Sequence, residues 1–362
     1  METPTLAELT TFRVGGPVAD FLATDDRSAL VHAIRRADEA GTPLLVIGGG
    51  SNLLACDEGF PGLVVKDLRS GLEIVEDPSG DDRRLVSAPA GAIWDAFVLA
   101  TLNAGLSGLE ALSGIPGTLG AAPVQNVGAY GHEVGETLVE VRVLDRADGV
   151  EKTLTTEGLA LGYRESAIKR SIHTGDESGR TWGPTGRWVV LEATFSLEVS
   201  AQSAPVLYRE LAHRLGVRQG ERADARLVRE TVLGLRRGKG MVLDPEDHDS
   251  WSAGSFFTNP LLSAEAAASL PEEAPRFPTP DGRVKSSAAW LIDHAGFPKG
   301  YAVPDARPSG AALSSRHVLA LTNRGDATAA EVVELALAVR AGVEERFGVR
   351  LVPEPVALGI EW

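Results

Sequence analysis

The chain has 362 residues, 43% of them hydrophobic, one cysteine and a net charge of −15. That length calls for two or three domains. The acidic balance argues against a surface for bulk nucleic acid or anionic membrane, and the lone Cys56 rules out an intrachain disulfide or a cysteine-rich metal site.

No apolar run reaches the roughly 18–20 residues needed to span a bilayer. METPTLAELT at the amino terminus lacks a basic segment followed by an apolar one. A cytoplasmic location is expected. Val18 to Ala23 reads as a strand. Asp25 or Asp26 can cap a helix running to about Glu39, with Leu30, Ile34 and Ala37 on one face and Gly41 as its stop. Leu44 to Ile47 is a buried strand leading into GGGSNLL, Gly48 to Leu54. Strand, glycine turn, then Ser51 and Asn52 is a pattern that binds phosphate through backbone N–H groups and a hydroxyl. A simple tight turn is the alternative, and the G-x-G-x-x-G dinucleotide fingerprint is not present here. Strands at Leu63 to Val65, Leu72 to Val75 and Leu85 to Ala88 follow, then a helix from about Ala92 to Asn103.

The next stretch, SGIPGTLGAAPVQNVGAYG from Ser113 to Gly131, is glycine-rich, holds two prolines and has no charged side chain. It is too apolar for a disordered linker and too broken for a helix or strand. Gly114, Gly117 and Gly120 recur every third residue. Either its bare N–H groups face a ligand, with phosphate favoured, or it is a tightly packed structural loop.

Leu138 to Leu144 and Val150 to Leu154 flank Ala147-Asp148-Gly149 and predict a hairpin. Thr155 or Thr156 can cap a helical turn ending in GYRES, whose Arg164 is either a binding residue or a surface ion-pair partner. His173 to Arg187 is polar and glycine-rich and reads as an exposed insertion, and Trp188 to Leu197 as a strand. Pro205 to Leu215 and Asp224 to Arg237 read as helices. The second ends in the cluster Arg236, Arg237, Lys239, which suits either a helix C-terminus or a pyrophosphate.

WSAGSFFTNP, Trp251 to Pro260, is compact, and its Ser255 does not fit G-x-S-x-G. Leu270 to Gly282 reads as exposed, Ala288 to His294 as a short helix and Leu319 to Thr322 as a strand. Thr328 and Glu331 predict a capping box for a helix through Phe347, closed by Gly348. Leu351 to Leu358 reads as a final edge strand holding Glu354 between Pro353 and Pro355. The seven histidines show no paired metal-ligand spacing on a helix face, and no metal is expected. Residues alone therefore support an α+β nucleotide or flavin binder with a second domain.

The chain resembles the UDP-N-acetylenolpyruvoylglucosamine reductase family over nearly its whole length. TTFRVGGPVA, IGGGSNLL, GLEALSGIPGTLGAAPVQNVGAYG, YRES, GSFFTNP, AAWLIDHAGFPKG and LVPEPVALG match that family's motifs in order. The resemblance implies a vanillyl-alcohol-oxidase-type FAD-binding domain of two α+β subdomains (1–67 and 68–202) and an α+β substrate-binding domain (203–362). It implies a monomer with noncovalent FAD, NADPH as co-substrate, and UDP-N-acetylglucosamine enolpyruvate reduced to UDP-N-acetylmuramate for peptidoglycan.

By the same resemblance, Gly48, Gly49, Gly50, Ser51, Asn52, Ser113, Gly114, Ile115, Pro116, Gly117 and Thr118 would hold the FAD pyrophosphate. Gly120, Ala121, Ala122, Gln125, Asn126 and Gly128 would line the isoalloxazine. Arg164, Ser255 and Glu354 match the active-site arginine, proton donor and catalytic glutamate. Tyr163, Tyr208, Arg236, Lys239, Asn259 and His294 would contact substrate. Tyr208 suggests the subtype with an extra substrate-covering loop. His294 stands where some relatives have glutamine, and the stretch Thr174 to Arg187 is longer than expected. A flavin oxidase on the same FAD unit and a non-catalytic UDP-sugar binder are the rival readings.

Overall fold

The computed structural model describes residues 3–80 and 82–362, so Met1 and Glu2 of the amino-terminal stretch lie outside the described residues. The chain gathers into two compact units. The larger comprises Val18–Gly49 and Pro61–Arg237; the smaller comprises the residues up to Pro17, Gly50–Phe60 and Gly238–Trp362.

The larger unit opens with β1 (Val18–Thr24), α1 (Arg27–Ala40), β2 (Leu44–Ile47) and β3 (Phe60–Asp67), in the sheet order β1-β3-β2. Asp26 caps α1 by accepting the amides of Ser28 and Ala29, and Gly41 ends it in the left-handed region at φ +66°. Leu30, Ile34 and Ala37 then bury against Leu44 and Val65. β2 pairs parallel with β3, which aims its C-terminal end straight into the Gly48 turn.

The second sheet takes β4 (Glu73–Glu76), β5 (Arg83–Pro89), β6 (Leu138–Asp145), β7 (Val150–Thr155) and β8 (Trp188–Val199), antiparallel in the order β7-β6-β8-β5-β4. α2 (Trp94–Asn103) lies in the same core, where the rings of Trp94, Phe97 and Phe195 stand 5.3 to 6.1 Å apart. α3 (Arg209–Leu215) and α4 (Ala225–Gly238) complete this unit.

In the smaller unit, α5 (Ala288–His294) and α6 (Ala329–Phe347) enclose a core of Phe12, Phe256, Phe257, Leu291, Val332, Leu335 and Val339. Thr328 and Glu331 form the expected capping box. Asp57 adds acceptors for the amides of Ala329 and Ala330. Strand Leu53–Ala55 pairs parallel with Val356–Leu358.

Three expectations change. Pro205 to Tyr208 is not helical, because Val206 exchanges backbone hydrogen bonds with Gly220 and Glu221 instead. The last strand shortens to Val356–Leu358, since prolines at 353 and 355 cannot donate to a ladder.

The third change is that His173 to Arg187 is exposed only in part: His173, Thr174, residues 177–181 and Gly183 are exposed, but Trp182, Thr185 and Gly186 are buried. Trp182 is buried and its indole N–H donates to Asp176 Oδ2 at 2.9 Å, while Arg187 binds Asp145, Asp176 and Glu177. Burial opposes ionisation of Asp145, but hydrogen bonds from Arg187 and Lys152 outweigh it and hold its pKa at about 2. An unfolded aspartate titrates near ~4, so this stabilisation is complete above about pH 4 and disappears as pH falls toward ~2. Asp145→Asn should therefore lower stability at neutral pH by about 3 kcal/mol, with a deficit that shrinks in acid. Urea denaturation from neutral pH to about pH 2 measures this. A deficit independent of pH would show that the carboxylate's charge is not what stabilises the loop.

Candidate functional site

In the larger unit the two glycine-rich stretches meet backbone to backbone. A Cβ on Gly49 would stand 2.7 Å from Gly117 Cα, and one on Gly48 would stand 2.4 Å from Thr118 Oγ1. A side chain on Gly48 or Gly49 would not fit. Gly117 also takes φ +124°, a conformation for glycine. Ile93 and Thr118 form an isolated bridge in which Trp94 N donates to Gly117 O and Leu119 N to Ala92 O. Among the described residues, no backbone acceptor takes the amides of Gly49, Gly117 or Thr118. Tight packing and bare N–H groups thus occur in the same loops.

Not every glycine or polar residue of these motifs is bare. The Gly114 amide donates to Asp95 Oδ1 at 2.6 Å, and the Ser113 hydroxyl, fully buried, donates to Glu110 O at 2.7 Å. Gly120 lies against Ala90, where a Cβ would stand 2.4 Å from the alanine's own. Ala121 is exposed and Ala122 buried. Gly50 belongs to the smaller unit, pressed against Leu9 O.

Asp95 is a residue that sequence reasoning missed. Arg229 of α4 grips it with two hydrogen bonds of 2.6 and 2.7 Å, across 134 residues of sequence. Burial opposes its ionisation, but Arg229 and the Gly114 amide hold its carboxyl below the usual range. This fork fixes Gly114 beside Arg236, whose Nε would stand 3.3 Å from a Cβ there. Arg236 is buried, near Tyr130 and Asp95, and burial lowers its pKa. Burial also pushes the Tyr130 phenol up to about 12.

Arg164 belongs to the same unit. It takes φ +54°, a left-handed conformation costly for a side chain of its size, at the tip of a turn closed by mutual Gly162–Glu165 hydrogen bonds. Its guanidinium donates to Gly128 O at 2.7 Å and Asn126 O at 3.4 Å, and lies 5.4 Å from the Tyr163 ring. Asn126, itself at φ +45°, donates from Nδ2 to Gly162 O and Glu133, and accepts from Gly135 N. Lys169 Nζ holds Arg164 O, and the Ser166 hydroxyl holds Val124 O. Asn126 therefore works as a clip for the arginine turn.

In the smaller unit Ser255 and Glu354 come together. Glu354 N donates to Phe256 O, and Phe257 bridges Pro353, so the glutamate lies across from the residue after the serine. On its other side Phe256 N donates to Leu319 O. Asn52 follows Glu354 closely: its Nδ2 donates to Glu354 O at 3.4 Å, and its own carbonyl accepts from Val356 N. Thr11 pins the segment by donating to Ser252 O at 2.7 Å.

The other substrate candidates of this unit are spread out. Asn259 Oδ1 accepts the Ala288 amide at the start of α5. His294 sits exposed at the opposite end of α5, stacked on Trp290 with ring centroids 3.8 Å apart. Lys239 neighbours His317, whose pKa falls to about 4 through burial and the charges of Lys239 and Lys299. Among the described residues, no group of three or more His, Cys, Asp or Glu could hold a metal ion.

Residues 20–155 match the family model of an FAD-binding domain, and residues 244–358 that of the UDP-N-acetylenolpyruvoylglucosamine reductase C-terminal domain. The chain is 50% identical to UDP-N-acetylenolpyruvoylglucosamine reductase of Saccharopolyspora erythraea over 361 residues, covering 97% of this chain and 93% of that one. The reductase of Cutibacterium acnes is 48% identical, with 98% and 89% covered. The crystal structure of UDP-N-acetylenolpyruvylglucosamine reductase from Thermus caldophilus aligns with a TM-score of 0.61 at 26% identity, over 98% of this chain and 97% of that one.

Among the described residues, the paired loops present amides without backbone acceptors where Gly48 and Gly49 leave no room for a side chain, an arrangement suited to an anion. Gly49→Ala should push the loops apart and weaken FAD binding at least about tenfold. Gly234→Ala, in α4 with nothing within 4 Å of its Cβ, should leave it unchanged. Titrating apoprotein with FAD and following flavin fluorescence compares the two. Equal affinities would show that the loop approach is irrelevant to the cofactor.

Proposed function

The chain belongs to the UDP-N-acetylenolpyruvoylglucosamine reductase family, FAD-dependent oxidoreductases of peptidoglycan synthesis, and from that membership we propose that it reduces UDP-N-acetylglucosamine enolpyruvate to UDP-N-acetylmuramate with NADPH. The observation that carries the residue roles is Arg164, held in a strained turn against the carbonyls of Asn126 and Gly128, within the same unit as the paired glycine loops.

The Gly48–Gly49 turn and the Ser113 to Thr118 loop would hold the FAD pyrophosphate, chiefly through the amides of Gly49, Gly117 and Thr118, while Gly120 to Ala122, Gln125 and Gly128 would line the ring system. FAD held there would supply hydride chemistry for the methylene carbon of the enolpyruvyl ether, with NADPH as the reductant. Arg164 holds the substrate carboxylate through its planar guanidinium, where negative charge develops as an enolate. Glu354 shares a hydrogen bond with that enolate. Ser255 Oγ gives its proton to the carbon next to the carboxylate. A hydroxyl is a poor acid in water, but it serves beside a carbanion-like base in a site closed to solvent. Tyr163, Tyr208, Arg236, Lys239, Asn259 and His294 take the rest of the UDP-sugar. The same reading makes the protein a cytoplasmic monomer; among the described residues, no helix is long and apolar enough to cross a membrane.

Ser255→Ala tests the assignment. Bleaching of the flavin by NADPH should stay within about twofold of the parent, and reoxidation by the enolpyruvyl substrate should slow by at least about 10³. Anaerobic stopped-flow absorbance reads both half-reactions. If reoxidation keeps its rate, Ser255 is not the proton donor. If oxygen and an alcohol or phenol turn the flavin over without NADPH, the oxidase reading replaces this one.

A further inference from the structure

His132 has no role in the reaction as described, yet it is buried and both ring nitrogens are engaged. It follows a hairpin turn. Gly128–Ala129 pairs with His132–Glu133, leaving Tyr130 and Gly131 as a two-residue tip with φ +53° and +93°. Positive φ at both positions is the type I′ pattern, which glycine and asparagine favour and tyrosine resists. The tyrosine ring has a partner: it meets Tyr208 edge to face, with centroids 5.4 Å apart and planes at 87°. Gly131 has one too, since a Cβ there would stand 2.7 Å from Leu207 Cβ. The tip is thus pressed against Pro205 to Tyr208, the segment that is not helical where a helix was expected.

His132 bonds this contact. Pro205 O only accepts, so Nε2 carries the hydrogen and donates to it at 2.8 Å, while Nδ1 faces Glu136 Oε2 at 2.7 Å. Glu136 is itself placed by its other oxygen, which accepts Glu133 N at 2.9 Å. From the far side Gln219 Nε2 holds Leu207 O at 2.7 Å, and Val206 is buried with Leu211, Val228 and Val232. The segment is gripped along its backbone, whereas the Tyr208 side chain at its end is exposed.

We propose that His132 is a positioning residue: it ties Pro205 to Tyr208 onto the hairpin tip and so holds the Tyr208 phenol in place for the UDP-sugar. This rests on the reading of Tyr208 as a substrate contact. The same hairpin carries Gly128, which accepts from Arg164, so one short element orients both an enolpyruvyl-binding arginine and a UDP-sugar-binding tyrosine.

Steady-state kinetics of the holoenzyme test it. His132→Ala should raise KM for UDP-N-acetylglucosamine enolpyruvate about tenfold, with kcat and NADPH-driven flavin bleaching within about twofold. His132→Gln keeps a side-chain donor for Pro205 O and should recover most of the loss. Tyr208→Ala should raise KM by itself, and adding His132→Ala to it should raise KM no further. Independent multiplication of the two effects would overturn the proposal, as would a KM unmoved by His132→Ala. A KM unmoved by Tyr208→Ala would instead overturn the substrate reading, and the proposal with it. Should His132→Ala lose its flavin, Gly131→Ala, which pries the tip from Leu207, must reproduce the KM rise and its non-additivity with Tyr208→Ala; otherwise the proposal fails.

Discussion

The approach of the Gly49 backbone to that of Gly117, with Gly48 against the Thr118 side chain, is the constraint on which the rest of the larger unit depends. Two loops from different parts of the sequence come so close that a methyl group on one would overlap the other's main chain. Contact at that distance excludes a side chain at Gly48 or Gly49, and among the described residues no backbone acceptor takes the amides of Gly49, Gly117 or Thr118. A phosphate group answers such a cluster, since oriented N–H dipoles bind an anion without a formal positive charge. An overall charge of −15 is compatible with an anionic cofactor for that reason.

Polar clips make this arrangement rigid. The Asp95–Arg229 fork ties the first turn of α2 to α4 and fixes Gly114 through a shared carboxylate oxygen. Asn126 spends its side chain and its carbonyl on the arginine turn. Each clip satisfies buried polar groups that would otherwise cost stability, and each fixes the position of its partner loop. The smaller unit follows the same plan. Ser255 and Glu354 are set by backbone pairing of their neighbours, and Thr11 and Asn52 brace the segments on which they stand.

Local signals in the sequence were legible where local physics decides. Asp26 and Gly41 bound α1, and Thr328, Glu331 and Gly348 bound α6, because caps satisfy backbone groups within a few residues. The helix expected from Pro205 failed because the apolar spacing that marks α3 says nothing of Val206 bonding to Gly220 and Glu221. His173 to Arg187 looked exposed because its composition is polar, yet Arg187 and Asp145, 42 residues apart, bury its base. The glycine loops and Arg164 stood out as motifs. Asp95, Arg229 and the clip role of Asn126 did not, since their meaning lies in partners distant in sequence.

A crystal structure of the holoenzyme with FAD and UDP-N-acetylglucosamine enolpyruvate is the most direct test. The expected result has pyrophosphate oxygens within about 3 Å of the amides of Gly49, Gly117 and Thr118. A pyrophosphate held away from both glycine loops would contradict it.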